Sequence, residues 1–222
     1  MKSKDNQIGV IFDLDGVLID TAEFHKQSWL DLAKQYGFEA TDEFFYRTFG
    51  MQNYQIIPML VGKKLNADEI DKMADWKEQR YRKLVAGKLT LMDGAKGLII
   101  DLKGNDFALA IGSSTTRVNL DFTLEHIAVG EYFDAYIAGE DVNNGKPAPD
   151  TFLKAAEKLG LAPSKCVVVE DAIPGVEAGK NAGMAVVAVT STRKRDELKL
   201  ADIIVDSLAE LNADDFKNLL YS

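Results

Sequence analysis

The most regular feature of the chain is a set of short apolar runs, rich in β-branched residues, that end at polar ones. Ile8 to Phe12 stops at Asp13, Phe107 to Ile111 leads to Ser113 and Ser114, and Cys166 to Val169 stops at Glu170 and Asp171. Ala185 to Val189 and Ile203 to Val205 complete the set. Runs this short and this continuously apolar read as strands covered on both faces. Between the later runs lie helical patterns at Thr116 to Ile127, Asp150 to Leu159 and Gly175 to Ala182. Strand and helix in alternation predict an α/β fold on a doubly wound parallel sheet.

The rhythm breaks from about Thr21 to Val85, where amphipathic helical patterns such as Ala22 to Tyr36 and Ala67 to Val85 follow one another with no strand between them. This stretch reads as a helical insert, and the turn signal Asp93-Gly94 marks the return to the sheet. The expected division is residues 1–19 and 91–222 for the sheet domain and 20–90 for a small helical cap. Hinge strands near Ile19 to Thr21 and Lys88 to Met92 would join the two.

Ligands of open parallel sheets bind beyond the carboxyl ends of the strands, so the residues that end each run are the candidates for chemistry. They are Asp13, Asp15, Ser113, Ser114, Glu170 and Asp171, joined by Lys146 in the loop Gly145-Lys146-Pro147-Ala148-Pro149-Asp150. Four carboxylates at one crevice repel one another unless a cation is present, and hard oxygen donors suit Mg2+. With Mg2+ in place, a phosphate can enter and be held by Lys146 and Ser113. Asp13 is then the nucleophile, and Asp15, two residues on, the general acid and base. Gly16 allows the tight turn between them.

Net charge is −9, from 26 Lys and Arg against 35 Asp and Glu, so the molecule as a whole repels nucleic acid. A small phosphorylated metabolite remains compatible where a metal and lysines reverse the field locally. The single cysteine, Cys166, lies in an apolar run; it excludes a disulfide framework and reads as a buried thiol. Residues Met1 to Asn6 are polar, with no signal-peptide core, and no apolar stretch is long enough to cross a bilayer, so the expected compartment is the cytoplasm and no membrane partner is expected.

DxDGV at Asp13 to Val17, Ser113, GKPAPD at Gly145 to Asp150 and VVVEDAIPGVEAG at Val167 to Gly179 resemble, in order, the four motifs of the haloacid dehalogenase-like phosphatases. The insert is similar to the cap of the β-phosphoglucomutase-like branch. This resemblance implies a Rossmannoid core with Mg2+ held by Asp13, Asp15, Glu170 and Asp171, the backbone carbonyl of Asp15 completing the protein's share. It also implies a mobile cap, a monomer, and substrate contacts from His25, Asn53, Lys77 and Ser114, with His25 orienting Asp15. Asn53 stands where the mutases of that branch carry an arginine for a second phosphate, which favours hydrolysis over phosphosugar isomerisation; Arg47 or Lys77 could replace that arginine.

Other residues read more plainly. His126 is structural, Trp29, Tyr36, Phe44, Phe45 and Trp76 form the core of the insert, and Arg193-Lys194-Arg195 is an exposed loop, too short a basic stretch for nucleic acid. The expected protein is a Mg2+-dependent phosphatase acting on a small phosphomonoester such as a sugar phosphate through an aspartyl-phosphate. A β-phosphoglucomutase-type isomerase is the rival.

Overall fold

The computed structural model describes residues 7–221; the polar leader at residues 1–6 and residue 222 lie outside them. The apolar runs form β1 (Gly9–Phe12), β2 (Ala108–Gly112), β4 (Cys166–Glu170), β5 (Ala185–Val189) and β6 (Ile203–Val205). One further strand, β3 (Ala135–Ile137), escaped the sequence reading because three residues carry no periodicity. All pairings are parallel, in the order β3-β2-β1-β4-β5-β6. The chain therefore starts in the middle, builds outward through β2 and β3, then returns to β1's other side. The strand order reverses at β1, and the crevice of a doubly wound sheet opens at such a point.

Successive residues of a strand face opposite sides, and the two resulting cores follow that rule. Val10, Phe12, Val167 and Val169 pack with Leu98, Ile99 and Leu102 of α5 (Ala95–Gly104) and Phe216 of α9 (Ala213–Tyr221). Ile11, Cys166 and Val168 pack on the other side with Phe152 of α7 (Asp150–Leu159) and Val176 of α8 (Ile173–Asn181). Helix α6 (Arg117–His126) begins where Thr116 accepts a hydrogen bond from the Asn119 backbone N–H, a side-chain cap of the usual kind. Cys166 is buried as expected, and burial pushes its thiol up to about 11.

Between β1 and β2 come α1 (Ala22–Tyr36), α2 (Asp42–Thr48), α3 (Asn53–Val61) and α4 (Ala67–Val85). They build a third core around Trp29, Leu32, Phe45, Phe49, Ile57 and Met73. Tyr36 departs from the expectation: it is exposed and stacks on Phe38 at the edge of that core. The expected hinge strands are reduced to a single antiparallel bridge, Ile19 with Leu91, flanked by bonds from Asp20 N–H to the Thr90 carbonyl and from Met92 N–H to the Leu18 carbonyl. Arg193 also departs, being buried with its guanidinium 5.6 Å from the centre of the Tyr46 ring; its neighbours Lys194 and Arg195 are exposed. Among the described residues no helix is long and apolar enough to cross a membrane.

Helix α5 starts at Gly94, which has φ of 78° and sits where a Cβ would strike the backbone of Ala209. Gly37 has a similar φ of 77° but open space around it. Gly94→Ala is expected to cost about 2 kcal/mol or more, from left-handed strain plus displaced backbone, while Gly37→Ala shows only the strain of about 1 kcal/mol. For a chain this size the first corresponds to a fall in Tm of about 4–8 °C, read by thermal denaturation; equal shifts for both variants would contradict the close packing at Gly94.

Candidate active site

Asp13 is the first residue past β1, its N–H still bonded to the Val169 carbonyl at 2.9 Å, so the strand ladder itself places its carboxylate between β2 and β4. Lys146, fully buried, reaches the same point from the loop before α7. Its ammonium donates to Asp13 Oδ1 (2.5 Å), Glu170 Oε1 (2.7 Å) and the Gly112 carbonyl (3.2 Å), using all three of its hydrogens. The other oxygen of Glu170 accepts from the backbone N–H groups of Asp171 and Ala172 as the chain enters α8. Asp171 Oδ2 accepts from Thr192 Oγ1 at 2.5 Å, whereas its buried Oδ1 has no partner.

Three carboxylates and one ammonium therefore share a buried space. Burial pushes the Asp13 carboxyl up to about 7, Lys146 pulling it down and Glu170 and Asp15 adding to the rise. Burial, followed by Glu170 and Asp13, raises Asp171 well above the ordinary range. Burial acts to lower Lys146, but Asp13 and Glu170 outweigh it, and the ammonium is held firmly charged. Groups arranged this way call for a further cation, and the orphaned Asp171 oxygen is the open donor. A Cβ at Gly16, whose φ is 86°, would collide with the Asp171 carboxylate, so glycine there keeps the space open. Among the described residues no three His, Cys, Asp or Glu side chains already surround one point.

Asp15 belongs to a second network. Its Oδ1 accepts from Thr21 Oγ1 (2.6 Å) and His25 Nε2 (3.2 Å), and His25 Nδ1 lies 3.0 Å from Lys77 Nζ. The ring thus stands between the two groups, Nε2 toward Asp15 and Nδ1 toward the Lys77 ammonium. Its ring stacks on Tyr81 with centres 3.9 Å apart. Burial acts to raise the Asp15 carboxyl, but His25, Thr21 and the charge on Lys77 more than offset it and leave it below its ordinary value. Lys77 is itself bonded to Glu78 Oε1 at 2.9 Å.

The two networks meet across a cleft of about 530 Å3, counting the part open to solvent, with Asp13, Asp15 and Ser113 on the sheet side and Asn53, Lys77 and Glu78 on the helical side. Ser113 Oγ accepts from the Thr115 N–H. Ser114 lies at the seam between the layers, donating to the Gly50 carbonyl at 2.7 Å; Gln52 Nε2 donates to the Gly139 carbonyl and the Gly145 N–H to Tyr54 Oη along the same seam. Asn53 Nδ2 donates to Glu78 Oε1 at 2.7 Å, and Arg47 is exposed against the Phe44 ring. His126 is exposed, bonded to the Phe122 carbonyl.

Thr21, Thr192, Glu78 and Asn119 were not singled out from the sequence. Thr21 stood inside a stretch already of interest. Glu78 and Asn119 gave no signal, since a polar residue on a helix reads as solvent-facing until tertiary contacts bury it.

Residues 10–189 match the family model of haloacid dehalogenase-like hydrolases. The fructose-1-phosphate phosphatase YqaB of Escherichia coli is 32% identical over 185 residues, covering 82% of this chain and 95% of that one. The chloroplastic 5-amino-6-(5-phospho-D-ribitylamino)uracil phosphatase of Arabidopsis thaliana is 33% identical over 214 residues, which are 96% of this chain but 57% of that longer protein. The crystal structure of a β-phosphoglucomutase from Clostridium difficile superposes with a TM-score of 0.88 at 28% identity, covering 96% of this chain and 97% of that one. The strand order, the motif residues at the strand ends and these matches agree, and the chain belongs to the haloacid dehalogenase-like hydrolase family.

Proposed function

We propose that the protein is a Mg2+-dependent phosphatase that hydrolyses a small phosphomonoester, a sugar phosphate by preference, through an aspartyl-phosphate on Asp13. The observation that carries this reading is the pairing of Asp13 with Lys146 at the end of the central strand while Asp15, across the same cleft, is held separately by Thr21 and His25. Two carboxylates held by separate sets of partners can take different roles in one cleft. The relatives named for phosphatase activity on phosphorylated metabolites support the substrate class.

In the first half-reaction an Asp13 oxygen bonds to phosphorus as the bond from phosphorus to the leaving oxygen breaks, and Asp15 gives that oxygen a proton. Thr21 and His25 both bond Oδ1, which leaves Asp15 Oδ2 to carry the proton. An anionic phosphoryl group entering nearby raises the affinity of Asp15 for it. In the second half-reaction Asp15 takes a proton from water, whose oxygen bonds to phosphorus while the bond to Asp13 breaks. Ser113 and Lys146 hold the phosphoryl oxygens, Lys146 by exchanging one of its three present bonds for a bond to the phosphoryl group. Side chains of Asp13 and Asp171 with the Asp15 carbonyl would hold Mg2+, Glu170 bracing them from behind; when bound, the ion offsets the carboxylate charge and polarises the phosphoryl group.

The rival, a phosphosugar mutase, needs a cationic grip on a second phosphate. Asn53 donates to Glu78, Lys77 is paired with Glu78, and Arg47 is exposed against Phe44. Hydrolysis is accordingly the better reading.

Mg2+-dependent phosphate release is expected from a panel of sugar phosphates, and Asp13→Asn should lower kcat by about a thousandfold or more with circular dichroism unchanged. Full activity in that variant would remove Asp13 from the nucleophile's role. A second expectation concerns stability. The folded Asp13 carboxyl sits at about 7 against an ordinary 3.8, so within that window the folded state keeps a proton that the unfolded chain has lost, and stability falls as pH rises. Mg2+ takes the place of that proton. At about 100 times its Kd it should add about 2.7 kcal/mol, a Tm rise of about 5–10 °C, and more at about pH 8 than at about pH 5.5. A Tm indifferent to Mg2+ at both pH values would count against the metal site.

A further inference from the structure

Glu78 is a buried acid that the scheme above leaves without a task. It lies on α4 at 6% exposure, on the wall of the cleft that also holds Asp13 and Asp15. A carboxylate so placed is unfavourable unless it is paired, and three donors meet it: Lys77 Nζ (2.9 Å) and Asn53 Nδ2 (2.7 Å) on Oε1, and Asn119 Nδ2 (2.5 Å) on Oε2. Burial acts to raise its carboxyl, but Lys77, His25 and Asn53 outweigh it and hold it below the ordinary value, so it is an anion at neutral pH. An ionised carboxylate offers about four acceptor positions. Both positions on Oε1 are taken and one on Oε2, leaving one for a donor from the cleft. The bond from Asn53 also fixes its amide so that Oδ1 is a second acceptor on the same wall. Because Lys77 is paired with Glu78, this wall offers no uncompensated positive charge.

We propose that Glu78 determines the class of leaving group: it accepts a hydroxyl hydrogen bond and keeps the Lys77 ammonium engaged, so that no cation on this wall is free to receive a second anionic group, and the site takes monophosphates of neutral polyols and discriminates against bisphosphates and phosphorylated carboxylic acids. The inference rests on the phosphatase reading of the cleft and adds the chemistry of the part of the substrate that departs. Specificity of this kind combines a contact made with the favoured ligand and one denied to its competitor, and Glu78 supplies both, the first as an acceptor and the second by holding Lys77. The third bond on Glu78 crosses the seam, because Asn119 belongs to α6 of the sheet domain, where Arg82 of α4 holds its Oδ1 at 2.6 Å. The acceptor is thus complete with the helical layer seated on the sheet.

The test compares kcat/KM for a hexose monophosphate, the matching hexose bisphosphate and phosphoglycolate, in excess Mg2+, for the wild type and Glu78→Gln. The wild type should favour the monophosphate over both others by about tenfold or more, and the variant should reduce that preference by about tenfold. A purely structural ion pair would lower all three rates together, so a preference within about twofold of the wild type's overturns the proposal. A wild type that favours the bisphosphate overturns it as well. If Glu78→Gln does not fold, Asn53→Arg carries the test: an added guanidinium on this wall should raise bisphosphate turnover relative to monophosphate by about tenfold, and an unchanged ratio refutes the proposal that a missing free cation excludes the second anionic group. Acetyl phosphate, which has neither a hydroxyl nor a second anionic group, reports on the chemistry alone. If the wild type shows no Mg2+-dependent turnover of any of these esters, the phosphatase reading fails; calorimetric titration of the same mono- and bisphosphates onto wild type and Glu78→Gln then gives the preference as a ratio of Kd values, with the same outcomes deciding.

Discussion

The buried ammonium of Lys146 is the contact on which the arrangement of the site depends. It joins the ends of three strands by touching Asp13 after β1, the Gly112 carbonyl at the end of β2 and Glu170 at the end of β4. A lysine with no exposed surface is tolerable because each of its hydrogens has an oxygen and its charge faces two carboxylates. The Phe152 ring lies 4.7 Å away and closes the apolar side. Without that ammonium the strand ends would carry three mutually repelling buried carboxylates.

Even with Lys146, the charge at the strand ends does not balance. Asp13 and Asp171 are both pushed toward protonation, and Asp171 keeps an oxygen without a partner. The imbalance is what the proposed divalent cation and phosphate would relieve. Asp15 is spared this environment because its contacts come from the helical layer, through Thr21 and His25. One short turn, Asp13 to Gly16, therefore delivers two carboxylates with opposite tendencies to one cleft.

The helical layer adds a polar wall. Lys77, Glu78 and Asn53 satisfy one another there, and Asn119 ties them to the sheet domain. A network of this kind is stable only when complete, since each missing partner leaves a buried polar group unpaired. The bonds along the seam, from Ser114 to Gly50 and from Gln52 to Gly139, hold the layer in the seated position in which that network is whole.

Much of the architecture can be read in the amino-acid order because it follows from local pattern. Continuous apolar runs gave five of the strands, and Asp150 to Leu159 gave α7 to the residue. The convergence of Asp13, Ser113, Lys146, Glu170 and Asp171 followed from one rule, that such sheets bind ligands at the strand ends. Features without a local pattern stayed hidden. The three residues of β3 are too few to show a period, and the hinge strands shrank to one bridge because only Ile19 and Leu91 come into register. Arg193 looked like part of an exposed basic loop until Tyr46, from a distant helix, covered it. Glu78 and Asn119 are 41 residues apart and would each pass for an ordinary helix-surface residue. Their burial, their charge state and their place on the cleft wall come from which helix faces meet which, and packing between distant segments alone decides that.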